Sequence, residues 1–278
     1  MIITNRDRKL QGETFINPSS DRVLLIAPAM GVSHKFYRKI ADYFYKKNYS
    51  VITFGYFGMF HNQRTKNLKD LQITDWGRKD INAVMEYAMQ NFPGQDYFFL
   101  GHSIAGQVLP LAEKSRVLTA AFLVASQNAS NQYWDGSWKI RVLFFWYFII
   151  PLFSTLLGYI PGFAYGGKYN LNKFIAKNWA VWGKNKAGLL GMESDYNIFN
   201  VPTKFISFTD DSLLAPPRAV KAIYNAYGSD YKVHEHIKPK EVGFTSIGHF
   251  NFFRDDYSIL WTKTTRWYDL IHNHSKAV

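Results

Sequence analysis

The sequence has 278 residues, 47% of them apolar, which is enough for one large α/β domain with an insertion and excludes a disordered chain. It contains no cysteine, so disulfide bonds, thiolate catalysis and cysteine-ligated metals are excluded as well. The formal charge of +12 suits an anionic membrane surface, but the basic residues are scattered along the chain, which argues against nucleic-acid binding.

The N-terminal part of the chain alternates between apolar runs and amphipathic segments. Residues 1–22 are polar with short alternating patches, which predicts an antiparallel edge hairpin closed near Asn17-Pro18. No apolar run precedes Arg22, so no signal peptide is predicted and the expected location is the cytoplasm. Strands are predicted over residues 23–26 and 51–54, and helices over residues 34–47 and 75–91. This alternation predicts a mostly parallel, doubly wound sheet.

The next predicted strand ends in a turn that holds a serine. Tyr97 to Leu100 is an uncharged aromatic run typical of a buried strand, and Gly101-His102-Ser103 follows it, before apolar residues at helical spacing. Small residues two positions before and after Ser103, Gly101 and Ala105, suit a tight strand-to-helix turn, because larger side chains would collide there. The helix beyond would point its first N–H groups at the serine, which suits a developing oxyanion. Ser103 is therefore the candidate nucleophile.

A strand is predicted over residues 120–125, after which the pattern changes. Residues 130–196 hold most of the eight tryptophans and no convincing strand, so we interpret them as a helical, aromatic-rich cap. Within them, residues 142–160 carry no charge and reach the length of a transmembrane helix. Pro151 and Gly158 interrupt this run, and strands on both sides must pair in one sheet. The sequence therefore favours two shorter apolar helices that form a cap. A cap that contacts the membrane surface is the intermediate alternative between a buried cap and a transmembrane helix.

Two late strands are each followed by polar residues. Strands are predicted over residues 203–208 and 231–237, and helices from Pro216 to Tyr227 and from Asp255 onward. Asp210 and Asp211 follow the first of these strands, and His249 lies in a loop past the second. Because the carboxyl ends of parallel strands meet at one edge of a sheet, these residues can approach Ser103.

Ser103, an aspartate and His249 occur in the chain order that this architecture uses for a nucleophile, an orienting acid and a general base. His249 would take the serine proton, and the carboxylate would hold the imidazole tautomer. For the acid we prefer Asp211 to Asp210, although either could instead cap the helix near Pro216. His102 is interpreted as a packing or hydrogen-bonding neighbour of the nucleophile.

No other histidine follows the last strand in a loop, and no metal or cofactor site is predicted. The remaining histidines are His34, His61, His234, His236, His272 and His274. None of them forms a pair with metal-ligand spacing and a carboxylate partner on a convincing helix. The glycine-rich stretches lack the strand-loop-helix setting of a phosphate or dinucleotide site.

Over nearly its whole length the sequence resembles the α/β-hydrolase family. The specific features are Gly101 to Gly106, Asp210-Asp211 followed by Ala215-Pro216, and Gly248-His249-Phe250. More narrowly, it is similar to a little-characterised bacterial group of predicted, serine aminopeptidase-like hydrolases. The features behind that similarity are Ala29 to Val32 with Phe36-Tyr37, Gly158 to Gly162 with Trp179 and Trp182, and Phe253-Arg254 after His249.

The resemblance implies an oxyanion hole formed by the strand end at Ala29-Met30 and by Ile104. Ala105 stands where the family usually has glycine, and Ala27-Pro28 stands where many relatives have His-Gly. Because proline has no N–H, the first donor is either Ala29 or Met30.

These features predict a serine hydrolase of the carboxylesterase or lipase type. The expected core comprises residues 1–129 and 197–278, with a cap over residues 130–196. The expected substrate is an apolar, small-molecule or lipid-like ester, or an amide. The alternatives are an acyltransferase that uses the same three residues and a non-catalytic ligand-binding or membrane-associated protein. The sequence does not indicate an oligomeric state.

Overall fold

The computed structural model describes residues 2–5, 8–60, 68–191 and 195–276, so His61 lies outside the described residues. The strands are β1 (Ile2–Asn5), β2 (Arg8–Phe15), β3 (Arg22–Ala27), β4 (Ser50–Phe54), β5 (Asp96–His102), β6 (Ala120–Val124), β7 (Tyr159–Ile160), β8 (Leu171–Asn172), β9 (Thr203–Phe208) and β10 (Lys232–Ile237). The α-helices are α1 (Arg38–Lys46), α2 (Asn82–Asn91), α3 (Ile104–Val108), α4 (Gly136–Phe144), α5 (Ile150–Leu156), α6 (Gly162–Tyr165), α7 (Lys173–Lys184), α8 (Pro217–Ala226) and α9 (Trp261–Ser275).

Shorter helical segments connect these elements. The 3₁₀ helices are His34–Tyr37, Leu68–Asp70, Leu109–Leu111, Glu113–Val117, Asn131–Tyr133, Gly188–Gly191, Pro239–Val242, Asn251–Phe253 and Asp255–Leu260. The π-helical segments are Trp76–Ile81 and Phe145–Ile149. Three predicted helices therefore begin in another geometry. The helices predicted from His34 and from Asp255 begin as 3₁₀ helices, and the helix predicted from Asp75 begins as a π-helix.

One eight-stranded sheet forms the centre of the molecule, in the order β1-β2-β4-β3-β5-β6-β9-β10. The pairs from β4 to β10 are parallel, and β2 joins β4 in an antiparallel register. The inner strands are mostly apolar and buried, and every residue of β4 and β6 is buried, as expected when helices cover both faces. The predicted mostly parallel, doubly wound sheet is confirmed.

Successive residues of β5 show the two helical layers. The Phe98 ring packs 4.8 Å from Tyr268 of α9, on the face that α1 also covers. The Phe99 ring faces the opposite side, near Gly101 and Ala105 at the start of α3. Because side chains alternate along a strand, this places α3 on the other face of the sheet from α9. The strand that carries the candidate nucleophile is thus central and covered on both faces.

The N-terminal hairpin exists, but its predicted turn is wrong. β1 and β2 pair in antiparallel register, from Ile2 opposite Gln11 to Asn5 opposite Arg8, so the hairpin that they form does not close at Asn17-Pro18. Asn17-Pro18 instead connects β2 to β3, and the Asn17 carbonyl accepts a hydrogen bond from the Ser20 N–H at 3.1 Å. A turn signal in the sequence marks a reversal without identifying the two strands that it joins.

The prediction of two short apolar helices is also wrong. Gly136 to Leu156 is one helical stretch of 21 residues that is long and apolar enough to cross a membrane, with 22% of its most apolar window buried. A π-turn over Phe145–Ile149 comes immediately before the turn that contains Pro151. Because a π-turn shifts the hydrogen-bond register by one residue, the helix continues past a proline that has no N–H to donate.

The segment between β6 and β9 also contains strands that its sequence did not indicate. β7 and β8 form a two-residue antiparallel pair, and Phe60, after β4, bridges to Leu171 of β8. β6 and β9 are adjacent in the sheet, so the segment leaves and rejoins the sheet at neighbouring strands.

Gly77 packs closely against α3, and this contact gives a test of what keeps α3 in position. A Cβ on Gly77 would lie 2.1 Å from the Val108 carbonyl oxygen, the last carbonyl of α3. Alanine normally stabilises a helical position relative to glycine, but here we expect Gly77→Ala to lower the free energy of unfolding by about 1–3 kcal/mol through overpacking. Denaturant unfolding measures this change. Gly55→Ala, where the nearest atom is 3.6 Å away, is the control, and equal stability of both variants would contradict the packing argument.

Candidate active site

Ser103 lies in a strained turn between β5 and α3. Its backbone has φ 55° and ψ −110°, a region that residues with a side chain rarely adopt. The Ser103 N–H donates to the Val124 carbonyl at 2.9 Å, which ties the turn to the neighbouring strand β6. The side chain is partly exposed, whereas the residues on both sides of it are buried. The backbone geometry thus presents the hydroxyl at the carboxyl edge of the sheet.

Small residues around Ser103 allow the turn to form. A Cβ on Gly101 would lie 2.7 Å from Leu123 and 3.1 Å from the Ala105 Cβ, so the two small positions predicted from the sequence do face each other. A Cβ on Gly106 would lie 2.5 Å from the Ser126 hydroxyl. Larger side chains at these positions would push α3 away from the sheet. Ala105 itself fits, because its Cβ is the largest group that this close approach to Gly101 leaves room for.

Asp211 and His249 form a buried pair beyond the ends of β9 and β10. The His249 Nδ1 lies 2.6 Å from an Asp211 carboxylate oxygen, and the side chains are only 6% and 3% exposed. The second carboxylate oxygen accepts from the Leu214 and Ala215 amides at 3.3 and 3.2 Å. The carboxylate is therefore fixed by backbone donors, and it holds the His249 Nδ1 in its protonated form, which leaves Nε2 free to accept a proton.

Asp210 has a different set of partners. One of its carboxylate oxygens accepts from the Ile247 N–H at 2.8 Å and from the Gly248 N–H at 3.0 Å. These amides belong to the loop immediately before His249. Asp210 thus holds the loop, whereas Asp211 contacts the imidazole.

Among the described residues, no hydrogen bond joins the Ser103 and His249 side chains. His102, the residue before Ser103, does contact His249. The His102 and His249 rings have centroids 5.0 Å apart, and the His102 Nε2 lies 2.8 Å from the His249 carbonyl. Hydrogen bonds between a nucleophile and its base are often long in ligand-free sites and tighten when substrate binds.

His102 is buried in a polar contact that the sequence did not reveal. Its Nδ1 lies 2.8 Å from the Tyr37 hydroxyl, at the end of the 3₁₀ turn before α1. Burial, reinforced by the nearby His249, holds the pKa of His102 well below its usual range, so its ring is neutral at physiological pH. Tyr37 occurred in the sequence only as part of a family-like motif, and no spacing rule connects it to a residue 65 positions away.

The amides at the end of β3 differ in their availability. The Ala29 N–H donates to the Tyr37 hydroxyl at 2.9 Å, and the Gly31 N–H contacts the Met59 sulfur at 3.2 Å. The Met30 N–H has no hydrogen-bond partner within the described residues. The Ile104 N–H is the first of α3 and has no partner inside that helix. Of the three predicted donors, the Met30 amide and the Ile104 amide thus have no recorded hydrogen-bond partner among the described residues, and the Ala29 amide is already engaged.

Three of the other histidines have partners elsewhere in the molecule. His234 and His236 both hydrogen-bond to Ser207, at 2.8 and 2.7 Å, and His272 lies 2.9 Å from Asp96. No group of three or more histidine, aspartate and glutamate side chains that could hold a metal ion occurs in the described ranges.

The segment between β6 and β9 approaches this edge of the sheet. Tyr165 of α6 lies against Gly31, so that a Cβ there would be 2.6 Å from the ring. The Trp134 indole N–H donates to the Leu213 carbonyl at 2.8 Å, in the loop after Asp211. Aromatic residues of the segment between β6 and β9 therefore lie beside both the end of β3 and the loop that follows Asp211.

No protein-family model matches the chain, and no curated protein sequence matches it. Solved structures match over nearly its whole length. Est1E from Butyrivibrio proteoclasticus, with ferulic acid bound, is 15% identical with a TM-score of 0.61, covering 98% of each chain. A soluble variant of the monoglyceride lipase from Saccharomyces cerevisiae, in complex with a substrate analogue, is 12% identical with a TM-score of 0.68, covering 98% of this chain and 94% of the lipase.

A third similar structure is Rv0554 from Mycobacterium tuberculosis, which is 16% identical with a TM-score of 0.64 and covers 97% of this chain and 98% of its own. At such low identity the likeness concerns the path of the chain. Together with the parallel sheet and its helical layers, these matches establish that the chain has the α/β-hydrolase fold.

Proposed function

We propose that the protein is a serine hydrolase of the α/β-hydrolase family that cleaves an apolar ester through an acyl-enzyme. The observation that carries this proposal is the buried Asp211–His249 pair, with its 2.6 Å contact, beside the strained turn of Ser103. The names of the similar structures, a monoglyceride lipase among them, support ester chemistry. Ser103 is the proposed nucleophile, His249 the general base and Asp211 the orienting acid.

In the first half of the reaction, the Ser103 oxygen attacks the carbonyl carbon of the ester and its proton passes to the His249 Nε2. The carbonyl electron pair moves onto oxygen, where the Met30 and Ile104 N–H groups stabilise the negative charge. Asp211 stabilises the imidazolium through the Nδ1–H. The intermediate then collapses, the bond to the leaving oxygen breaks, and that oxygen takes the proton from His249. The alcohol departs, and the acyl group stays on Ser103.

In the second half, water replaces the alcohol. His249 takes one proton from the water molecule as its oxygen adds to the acyl carbonyl. Collapse of this second intermediate breaks the bond to Ser103, whose oxygen recovers the proton from His249. A carboxylic acid is released and the site returns to its starting state.

We further propose that residues 130–196 form a cap over this site and select an apolar acyl or alkyl group. The contacts of Tyr165 with Gly31 and of Trp134 with Leu213 support this, because both lie beside proposed catalytic elements. A pocket lined by aromatic side chains favours apolar groups over charged ones.

The nucleophile assignment is tested by covalent labelling. We expect a fluorophosphonate probe to react with Ser103, since it forms a stable adduct with an activated serine. We expect Ser103→Ala to lose labelling and at least about 10³-fold in kcat/KM on short p-nitrophenyl esters. Ser19→Ala, an exposed serine at the opposite edge of the sheet, is the control and should label normally. Labelling of folded Ser103→Ala at the wild-type level would refute the assignment.

The two adjacent aspartates give a second, matched test. Asp211→Asn should lower kcat by about 10³-fold to 10⁴-fold, because an amide does not hold the His249 tautomer in which Nε2 accepts a proton. Asp210→Asn keeps an oxygen that can accept from the Ile247 and Gly248 amides, so a loss of less than about 10-fold is expected. Steady-state ester hydrolysis measures both, with melting temperatures to show that each variant folds. The reverse order of effects would make Asp210 the acid.

We also propose that the inserted segment contacts an anionic membrane surface. Support comes from the exposed apolar face of the helix over residues 136–156, where Ile140, Phe144, Tyr147 and Phe148 are all more than half exposed. Every charged residue between positions 136 and 191 is basic: Lys139, Arg141, Lys168, Lys173, Lys177, Lys184 and Lys186. An apolar face flanked by basic side chains is the pattern of a helix that lies in the membrane interface.

Vesicle flotation tests this contact. We expect binding to vesicles that contain phosphatidylglycerol, weaker binding to phosphatidylcholine alone, and a reduction by salt. Ile140→Asn should lower the affinity about 10-fold, because an apolar side chain leaves the interface. Ile259→Asn is the matched control, since Ile259 is 64% exposed and Ile140 69%. Equal effects of the two substitutions would contradict the proposed surface, and resistance to both high salt and alkaline washing would indicate a span instead.

A further inference from the structure

A chain of buried hydrogen bonds joins the three loops of the proposed site. It runs from the Ala29 amide to the Tyr37 hydroxyl at 2.9 Å, from that hydroxyl to the His102 Nδ1 at 2.8 Å, and from the His102 Nε2 to the His249 carbonyl at 2.8 Å. Tyr37 and His102 have no solvent-exposed surface. These three hydrogen bonds therefore connect the end of β3, the turn of the proposed nucleophile and the loop of the proposed base.

Only one arrangement of protons satisfies all of these contacts. The His249 carbonyl can only accept, so the His102 Nε2 carries a proton and donates it. In a neutral imidazole, Nδ1 is then an acceptor, and the Tyr37 hydroxyl donates to it. The Tyr37 oxygen in turn accepts from the Ala29 N–H. Burial raises the pKa of Tyr37 well above its usual range, so the phenol keeps the proton that this arrangement requires.

The surroundings of His102 keep it uncharged. The Phe253 ring lies 4.5 Å from the imidazole and 5.0 Å from the Tyr37 ring, and the Phe250 ring lies 5.7 Å from the imidazole. These aromatic neighbours replace water, which disfavours the charged form. A neutral His102 matters to the site because a second positive charge, 5.0 Å from the His249 ring, would oppose the imidazolium that forms there during the reaction.

We propose that Tyr37 and His102 are positioning residues that fix the oxyanion strand, the nucleophile turn and the general base relative to one another. The inference rests on the proposed function. It also assigns the donor at the β3 end: because Tyr37 engages the Ala29 amide, the Met30 amide is the one that faces the oxyanion. A loss of one link lets the β3 end and the His249 loop move independently, and small displacements of reacting groups reduce rates strongly.

The first test removes one hydroxyl. Tyr37→Phe should lower kcat on p-nitrophenyl esters by about 10-fold to 100-fold with little change in KM, because binding contacts remain while the geometry of the transition state is lost. Tyr268→Phe is the matched control: Tyr268 is equally buried, and its hydroxyl donates to a backbone carbonyl, that of Phe99, at 2.7 Å. If both variants lose kcat equally, the effect is structural and the proposal is overturned.

The second test measures the importance of the hydrogen bond that the His102 Nε2 donates to the His249 carbonyl. His102→Gln places an amide N–H near the position of Nε2 and should retain more of kcat than His102→Leu, which donates to nothing. Melting temperatures identify variants that do not fold, and Tyr37→Phe decides the question if both His102 variants fail to fold. A His102→Leu variant that folds with wild-type kcat would overturn the proposal.

The third test does not depend on turnover, so it distinguishes failure of this inference from failure of the proposed function. Nitrogen-15 NMR of the wild type should show His102 as a single neutral tautomer, protonated at Nε2, from about pH 5 to pH 8. The proton between the His249 Nδ1 and Asp211 should resonate far downfield, and it should shift in Tyr37→Phe but not in Tyr268→Phe. A wild-type protein that does not hydrolyse esters but gives these spectra would refute the serine hydrolase and leave the network intact. A His102 protonated at Nδ1, or one that titrates in this range, would refute the network.

Discussion

The strained backbone of Ser103 is the constraint on which the rest of the structure depends. A residue with a side chain holds φ 55° together with ψ −110° only when the surrounding structure enforces this conformation. Those surroundings are the central position of β5, the hydrogen bond from the Ser103 amide to Val124, and close packing around Gly101 and Gly106. Each of these fixes α3 against the sheet, and α3 in turn fixes the direction of the hydroxyl. The packing of α3 against the sheet and the geometry of one turn are thus linked.

The parallel sheet brings the remaining groups to the same edge. The loops after β3, β9 and β10 all leave the sheet at the carboxyl ends of its strands, where the ligand sites of open α/β sheets lie. Backbone donors then fix each side chain: Asp211 is held by Leu214 and Ala215, and the loop of His249 is held by Asp210. Two adjacent aspartates therefore have separate tasks, one facing the imidazole and one facing the loop that carries it.

Apolar runs and turn residues in the sequence were enough to predict the central strands, the strand-to-helix turn at Ser103 and the loops of Asp211 and His249. These features are local, because a continuous buried strand and the residues that end it are adjacent in sequence. The continuous helix through Pro151 was missed because a π-turn accommodates the proline, and single-residue rules do not foresee a shifted hydrogen-bond register. The contact between Tyr37 and His102 was missed for a different reason: it depends on how two distant segments meet in three dimensions.

The contact between Tyr37 and His102 gives the residue before Ser103 a role that the sequence alone does not reveal. In the sequence, His102 was a packing or hydrogen-bonding neighbour; in the structure, its two nitrogens face different loops. Because a neutral imidazole has one donor and one acceptor, the tautomer that serves the His249 carbonyl is also the one that can accept from Tyr37. A lysine or arginine has no acceptor for the Tyr37 hydroxyl proton, and it would add a charge beside the proposed general base. A buried histidine meets both requirements, and the Ser103 turn can therefore connect the end of β3 to the His249 loop without placing a second charge beside the proposed base.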